Sequence, residues 1–168
     1  METESDILKL FWQYDPNGLV IVDKDMRIRN LNPAFEKMFQ ITRENAIGFD
    51  LRKLIGEQGV EIFEEVFRTG KVNSVEKISF QSYGIIAKLI AFKIPESEMA
   101  TGIFVDITLE EMKKNELTKI KLETLDRIKN VVLKQMKVAQ EIASLLGETT
   151  AQTKASLLNL LNIIQGGK

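Results

Sequence analysis

The sequence predicts an α+β fold: a five-stranded antiparallel sheet with helices on one face, followed by a C-terminal α-helical hairpin. Two short strand-like runs lie early, an apolar one at residues 19–22 and one with period-two alternation at 26–31. Three more crowd together at 74–80, 84–94 and 100–107, and helical spacing occupies the interval between the groups and everything past Thr108.

Residues 3–14 place Ile7, Leu10, Phe11 and Tyr14 on one helical face, and Asp15-Pro16-Asn17-Gly18 breaks the chain after them. This sets off 1–14 as a leading amphipathic helix. Leu19-Val20-Ile21-Val22, the turn Asp23-Lys24-Asp25 and Met26-Arg27-Ile28-Arg29-Asn30-Leu31 then read as a β-hairpin. Asn32 before Pro33 is an N-cap with proline at the first helical position, and Thr42 is a second N-cap. Gly48 and Gly56 punctuate the short helices that follow. A further helix over 61–68 buries Ile62, Phe63, Val66 and Phe67 and stops at Gly70. In the strand 84–94, Ile86, Ile90, Phe92 and Ile94 face one way and Ile85, Ala87, Leu89 and Ala91 the other. Both faces are apolar, so the leading helix or a partner chain is expected to cover the second.

Residues 109–168 contain no proline, and 109–146 read as one long helix. Leu117, Thr124, Val131, Val138 and Leu145 recur every seven residues, and Ile128, Gln135 and Ile142 fall four after the middle three. Leu125, Val132, Ala139 and Leu146 widen this seam beyond what a two-stranded coil needs. Gln135 either fixes register within the seam or sits at a bundle edge. Gly147 is expected to end the helix, and Thr149 with Gln152 forms a capping box that starts a short helix over 150–164, carrying Leu157, Leu158, Leu161 and Ile164. Two such hairpins make a four-helix bundle, so a homodimer is expected. Its contacts are Leu125, Ile128, Val131, Val132, Val138, Ile142 and Leu145, together with Leu10, Phe11 and Tyr14 of the leading helix.

The composition excludes several chemistries. Among 168 residues there is no cysteine and no histidine, which removes Cys- or His-built zinc sites, Cys-ligated iron–sulfur clusters, haem held through His or Cys, cysteine nucleophiles and phosphohistidine transfer. With 23 basic against 24 acidic side chains, the chain has no field for gripping nucleic acid. No run approaches the roughly 18 apolar residues of a membrane span, and the acidic N-terminus lacks a targeting core, so a cytoplasmic protein without membrane contact is expected. Residues 1–108 hold 13 basic and 17 acidic groups, whereas 109–168 hold 10 and 7, a shift that marks a boundary near Thr108.

Four stretches resemble a PAS domain over 15–108: Asp15-Pro16-Asn17-Gly18-Leu19-Val20-Ile21-Val22-Asp23, Asn30-Leu31-Asn32-Pro33-Ala34-Phe35, Arg43-Glu44-Asn45-Ala46-Ile47-Gly48 and Gly102-Ile103-Phe104-Val105-Asp106-Ile107-Thr108. The resemblance implies a five-stranded sheet whose core can bind a small ligand, and a role in sensing or dimerisation that drives an attached output. Met26 and Gln40 depart from the family by standing where glycine often closes the first hairpin and ends the first helix. The tail stretch Val138-Ala139-Gln140-Glu141-Ile142-Ala143-Ser144-Leu145-Leu146-Gly147-Glu148-Thr149-Thr150 looks like a segment found after PAS domains in regulatory proteins of anaerobic bacteria.

Candidate ligand-pocket residues are Phe35, Phe39, Phe63, Phe67, Ile78 and Val105, with plain core packing as the competing reading of the aromatic ones. A small apolar molecule, a fatty acid, a non-covalent flavin or an empty core all fit, whereas a covalent flavin adduct needs cysteine. Asp23 and Asp25 read as turn residues rather than a catalytic pair, and Glu64-Glu65 and Lys113-Lys114 as solvated helix faces. Asp106, Ile107 and Thr108 occupy the joint between sheet and output helix. Asp106 is there either a helix cap or, as the resemblance implies, part of a transmission element. The function expected is a non-enzymatic sensory module that dimerises and passes a ligand or protein-partner signal to its helical tail. A degenerate sensor-kinase dimerisation module and a structural scaffold are the alternatives; a kinase needs a phosphoacceptor histidine and a nucleotide-binding domain, and neither is present in this sequence.

Overall fold

Strand β1 (Gly18–Asp23) lies between β2 (Ile28–Leu31) and β5 (Met99–Asp106), and β5 leads outward to β4 (Ile85–Lys93) and β3 (Asn73–Phe80). Every neighbouring pair in this five-stranded sheet is antiparallel. The computed structural model describes residues 4–165. Its helices are α1 (Glu4–Tyr14), α2 (Pro33–Met38), α3 (Arg43–Ala46), α4 (Arg52–Thr69) and α5 (Thr108–Gln165), with a single 3-10 turn at Gln81–Tyr83.

Alternation decides which strand residues meet the helices. Val20 and Val22 of β1, Ala87, Leu89 and Ala91 of β4, and Ala100 and Phe104 of β5 form one buried face, against which Phe35, Val60, Phe63 and Val66 pack. Each large side chain buried there stabilises the fold by roughly 1.5–3 kcal/mol. Ile21, Ile86, Ile90, Phe92 and Ile103 occupy the other face and are half-buried. Helix α1 rests against α2, and its Ile7, Leu10, Phe11 and Tyr14 remain exposed.

The helix ends follow local chemistry. Asn32 caps α2, its Oδ1 accepting the Phe35 N–H at 3.0 Å. Thr42 precedes α3 as expected but makes no side-chain cap; the Glu36 carboxylate accepts the Arg43 N–H in its place, at 2.5 Å. Helix α4 begins earlier than the expected 61–68 because two helical pieces join across Gly56, whose φ of 67° and ψ of −179° suit glycine almost alone. Gly70 closes it in the left-handed conformation. Met26 and Gln40 adopt φ of 62° and 50°, so the turns keep the left-handed backbone without glycine. Burial of the Met26 side chain offsets the strain there.

The C-terminal hairpin is not formed. Helix α5 runs unbroken through Gly147, which keeps a negative φ and has open space where a Cβ would stand. Thr149 and Thr150 do not start a new helix; their hydroxyls donate to the Leu145 and Leu146 carbonyls one turn back. Glycine inside a helix costs only about 1 kcal/mol relative to alanine, too little to end one when no left-handed cap forms. The chain divides into two compact units between Lys114 and Asn115, later than the expected boundary near Thr108. The first turns of α5 belong with the sheet, and the remaining helix forms the second unit. The side chains of Leu161 and Ile164, expected on the short arm, lie outside the described residues. No helix among the described residues is long and apolar enough to cross a membrane.

Candidate functional site

The space between sheet and helices is lined by phenyl rings. Phe39 sits 4.5 Å from Phe35 and 5.2 Å from both Phe104 and Tyr83 between ring centroids, and Phe80 completes the cluster at 5.3 Å from Phe39. These tilted and edge-on contacts are favourable aromatic geometries. Phe63 fills the notch above Gly102, where an added Cβ would come within 2.4 Å of its ring. Of the expected pocket residues, Phe35, Phe39, Phe63 and Ile78 are buried in this core and Phe67 packs at its margin. Val105 is not among them. It alternates with Phe104, and its pairing with Lys88 puts it on the opposite face of the sheet, so the parity expected for it is corrected by one residue.

Asn32 is the buried polar hub of the N-terminal end. Besides capping α2, its Oδ1 accepts the Leu19 N–H at 2.8 Å and its amide donates to the Asn17 carbonyl at 2.8 Å. It ties the loop before β1 to β1 and α2, and leaves no partner unmet. Trp12, not singled out by sequence reasoning, donates its indole N–H to the Leu31 carbonyl at 3.3 Å. Arg43 donates to the same oxygen at 2.8 Å. The edge strand β2 is therefore held from both α1 and α3.

The joint between β5 and α5 is built from backbone and side-chain hydrogen bonds. Ile107 N–H donates to the Ile86 carbonyl at 2.8 Å, and Ile86 N–H donates to the Thr108 hydroxyl at 2.9 Å. Asp106 Oδ1 accepts the Thr108 N–H at 2.9 Å and its hydroxyl at 2.5 Å, an Asx turn across the strand end. The residue that spans both elements is therefore Thr108, with Asp106 orienting its hydroxyl. A second tie comes from the edge of the sheet. The β3–β4 register shifts between Val75 and Ile78, so Glu76 and Lys77 together face one stretch of β4. Lys88 donates to Glu76 at 2.7 Å, and Lys77 donates to Glu111 in the first turns of α5. The Lys77 ammonium holds the Glu111 carboxyl below the usual carboxylate range, against partial burial and with help from Lys114. Only position in the fold could reveal this pair, since 34 residues separate its members.

The expected dimer contacts are all exposed in this single chain: Leu10, Phe11 and Tyr14 on α1, and Leu125, Ile128, Val131, Val132, Val138, Ile142 and Leu145 on α5. Asp23 and Asp25 do not form a pair of acids. Asp23 Oδ1 accepts the Asp25 and Arg27 N–H groups, each at 3.0 Å, and its Oδ2 takes both Nε and Nη2 of Arg29, at 2.8 and 2.6 Å. No group of His, Cys, Asp and Glu side chains suited to hold a metal occurs among the described residues.

A five-stranded antiparallel sheet in the order β2-β1-β5-β4-β3, with helices on one face and a helix leaving the last strand, defines a PAS-type sensory domain. A family model described as PAS domain matches residues 16–109, and the chain belongs to that family. Solved structures share the fold. The PAS domain of nitrogen regulation protein NR(II) from Vibrio parahaemolyticus matches with a TM-score of 0.52 at 15% identity, over 60% of this chain and 98% of that one. A domain of the sensory box sensor histidine kinase/response regulator from Geobacter sulfurreducens matches at 0.50 and 18% identity, over 61% and 94%. An RNA-binding Light-Oxygen-Voltage receptor matches at 0.56 and 15% identity, over 71% of this chain and 37% of that one. No curated protein matches the chain. The family match ends at residue 109, so most of α5 lies outside it.

Proposed function

We propose that the chain is a non-enzymatic sensory module that self-associates through α5, with the exposed apolar face of α1 as a further contact surface, and passes a change in the PAS unit into that helix. The observation that carries this reading is the uninterrupted α5, which starts two residues past β5 and bears an exposed apolar stripe along its length. Because α5 is one helix rather than a hairpin, two chains contribute two helices to the association. The Asp106, Ile107 and Thr108 joint supports transmission, since a shift of β4 against β5 acts directly on the Ile86 groups that hold the start of α5.

Packing of Phe63 against Gly102 and of Phe39 among four rings favours a partner protein over a small ligand as the input. A small apolar molecule or non-covalent flavin would have to displace one of these rings. Light scattering on the full chain at tens of micromolar, about the range where weak surface contacts fail, is expected to give a dimer. Val131→Glu with Val138→Glu is expected to give a folded monomer. A wild-type monomer, or a double variant that still dimerises, overturns association through α5.

A further inference from the structure

The stripe on α5 is flanked by charges in a self-complementary order. Ile128, Gln135 and Ile142 form one core position of the heptad, and Val131, Val138 and Leu145 the other. The residues just before the first set are Arg127, Lys134 and Glu141, and Glu148 continues the series. Two cations are thus followed by two anions at seven-residue spacing, all exposed. The opposite flank, through Leu125, Val132, Ala139 and Leu146, is uncharged.

In a parallel pair of helices each charged position faces the partner's opposite flank, so Arg127, Lys134 and Glu141 would meet Val132, Ala139 and Leu146 and find no counter-ion. In an antiparallel pair, like flank meets like flank. Arg127 then faces Glu148 and Lys134 faces Glu141, each twice by symmetry. The same alignment layers Ile128 on Leu145, Val131 on Ile142 and Thr124 on Thr149. Those two threonines are compatible with an apolar seam because their hydroxyls already donate to the Ile120 and Leu145 carbonyls, both at 2.8 Å. The alignment requires α5 to continue through Gly147, as it does.

We infer that a second copy of this chain docks antiparallel on residues 124–149 of α5, with the two-fold axis beside residues 136 and 137. This rests on the reading that α5 mediates self-association, and fixes its direction. Specificity comes from the charged flank, because any other direction leaves these charges unpaired or opposed.

The test uses the full chain, which has no native cysteine to interfere with labelling. A spin label on Lys119→Cys is expected to lie about 50 Å from its symmetry mate, from the rise of about 1.5 Å per residue, whereas a parallel pair brings the two labels within about 20 Å. Arg127→Glu with Lys134→Glu makes the flank all-acidic, and Glu141→Lys with Glu148→Lys makes it all-basic. Each variant alone is expected to self-associate about tenfold or more weakly, and an equimolar mixture to recover a heterodimer. A short label distance in an intact dimer, or charge variants that dimerise like the parent, overturns the antiparallel direction and leaves self-association standing. A wild-type monomer overturns both.

Discussion

Thr108 and Ile86 are joined across the sheet-to-helix boundary: the Ile86 N–H donates to the Thr108 hydroxyl oxygen at 2.9 Å. The hydroxyl proton is directed at the Asp106 carboxylate, 2.5 Å away. A threonine at the first position of α5 thus does what a strand residue would do for the β4 ladder, and the helix starts where the ladder ends.

Thr108→Val keeps the shape and removes the acceptor. It is expected to cost about 1–3 kcal/mol, because the Ile86 N–H loses its partner in a half-buried place. Asp106→Ala is expected to cost about 1 kcal/mol, since the exposed carboxylate supports only the turn. Chemical denaturation gives the energies, and amide hydrogen exchange at Ile86 and Ile107 gives the location. Unchanged protection at Ile86 in Thr108→Val would show that the Thr108 hydroxyl does not hold the end of β4.

Gly147→Ala separates the continuous helix from a hairpin by sign. Inside a helix with open space at the Cβ position, alanine is expected to stabilise α5 by about 1 kcal/mol and to raise helical content in circular dichroism. At a left-handed cap the same change would destabilise.

Phe63→Ala removes the ring packed against Gly102. A cost of about 3–5 kcal/mol is expected, together with a cavity that a small aromatic probe such as indole restabilises in a thermal shift. Loss of stability with no rescue would indicate that the core collapses on the space instead.

Asp23 makes a pH-dependent contribution. Burial pushes its carboxyl up, but the N–H groups of Arg27 and Asp25 and the Arg29 guanidinium outweigh that and hold it below its ordinary value of 3.8. A group with a depressed folded pKa contributes stability that is present above 3.8 and is lost as pH falls through the folded value. Asp23→Asn is expected to lose about 1 kcal/mol at neutral pH, and the gap to the parent should close in acid below that point. Urea titrations across the acid range measure it, and a gap independent of pH would assign the effect to geometry alone.

The strands, the Asn32 cap and the Gly70 stop were legible because each is a local matter, written in alternation, a short polar side chain before proline, or a glycine after a helical run. The apolar stripe of the tail was legible for the same reason. Its division into two arms was not, since a glycine and a threonine pair are equally compatible with a cap and with a helix interior, and the choice turns on backbone angles. Val105 was misplaced because Ile103, Phe104 and Val105 are all apolar and their alternation does not mark the core face; Thr101, on the same parity as Val105, is the polar cue inside the strand.

The sequence by itself therefore determined the five strands, the order of the elements as far as the start of α5, the exclusion of Cys- and His-dependent chemistry and the residues that form the stripe on α5. Tertiary structure alone decided that Lys77 reaches Glu111, that Trp12 and Arg43 share the Leu31 carbonyl and that Phe63 fits over Gly102. Each of these contacts joins residues far apart in the chain, and its strength depends on distances of a few ångströms that are set when the β3 bulge, the β2 edge and α4 are brought onto one sheet.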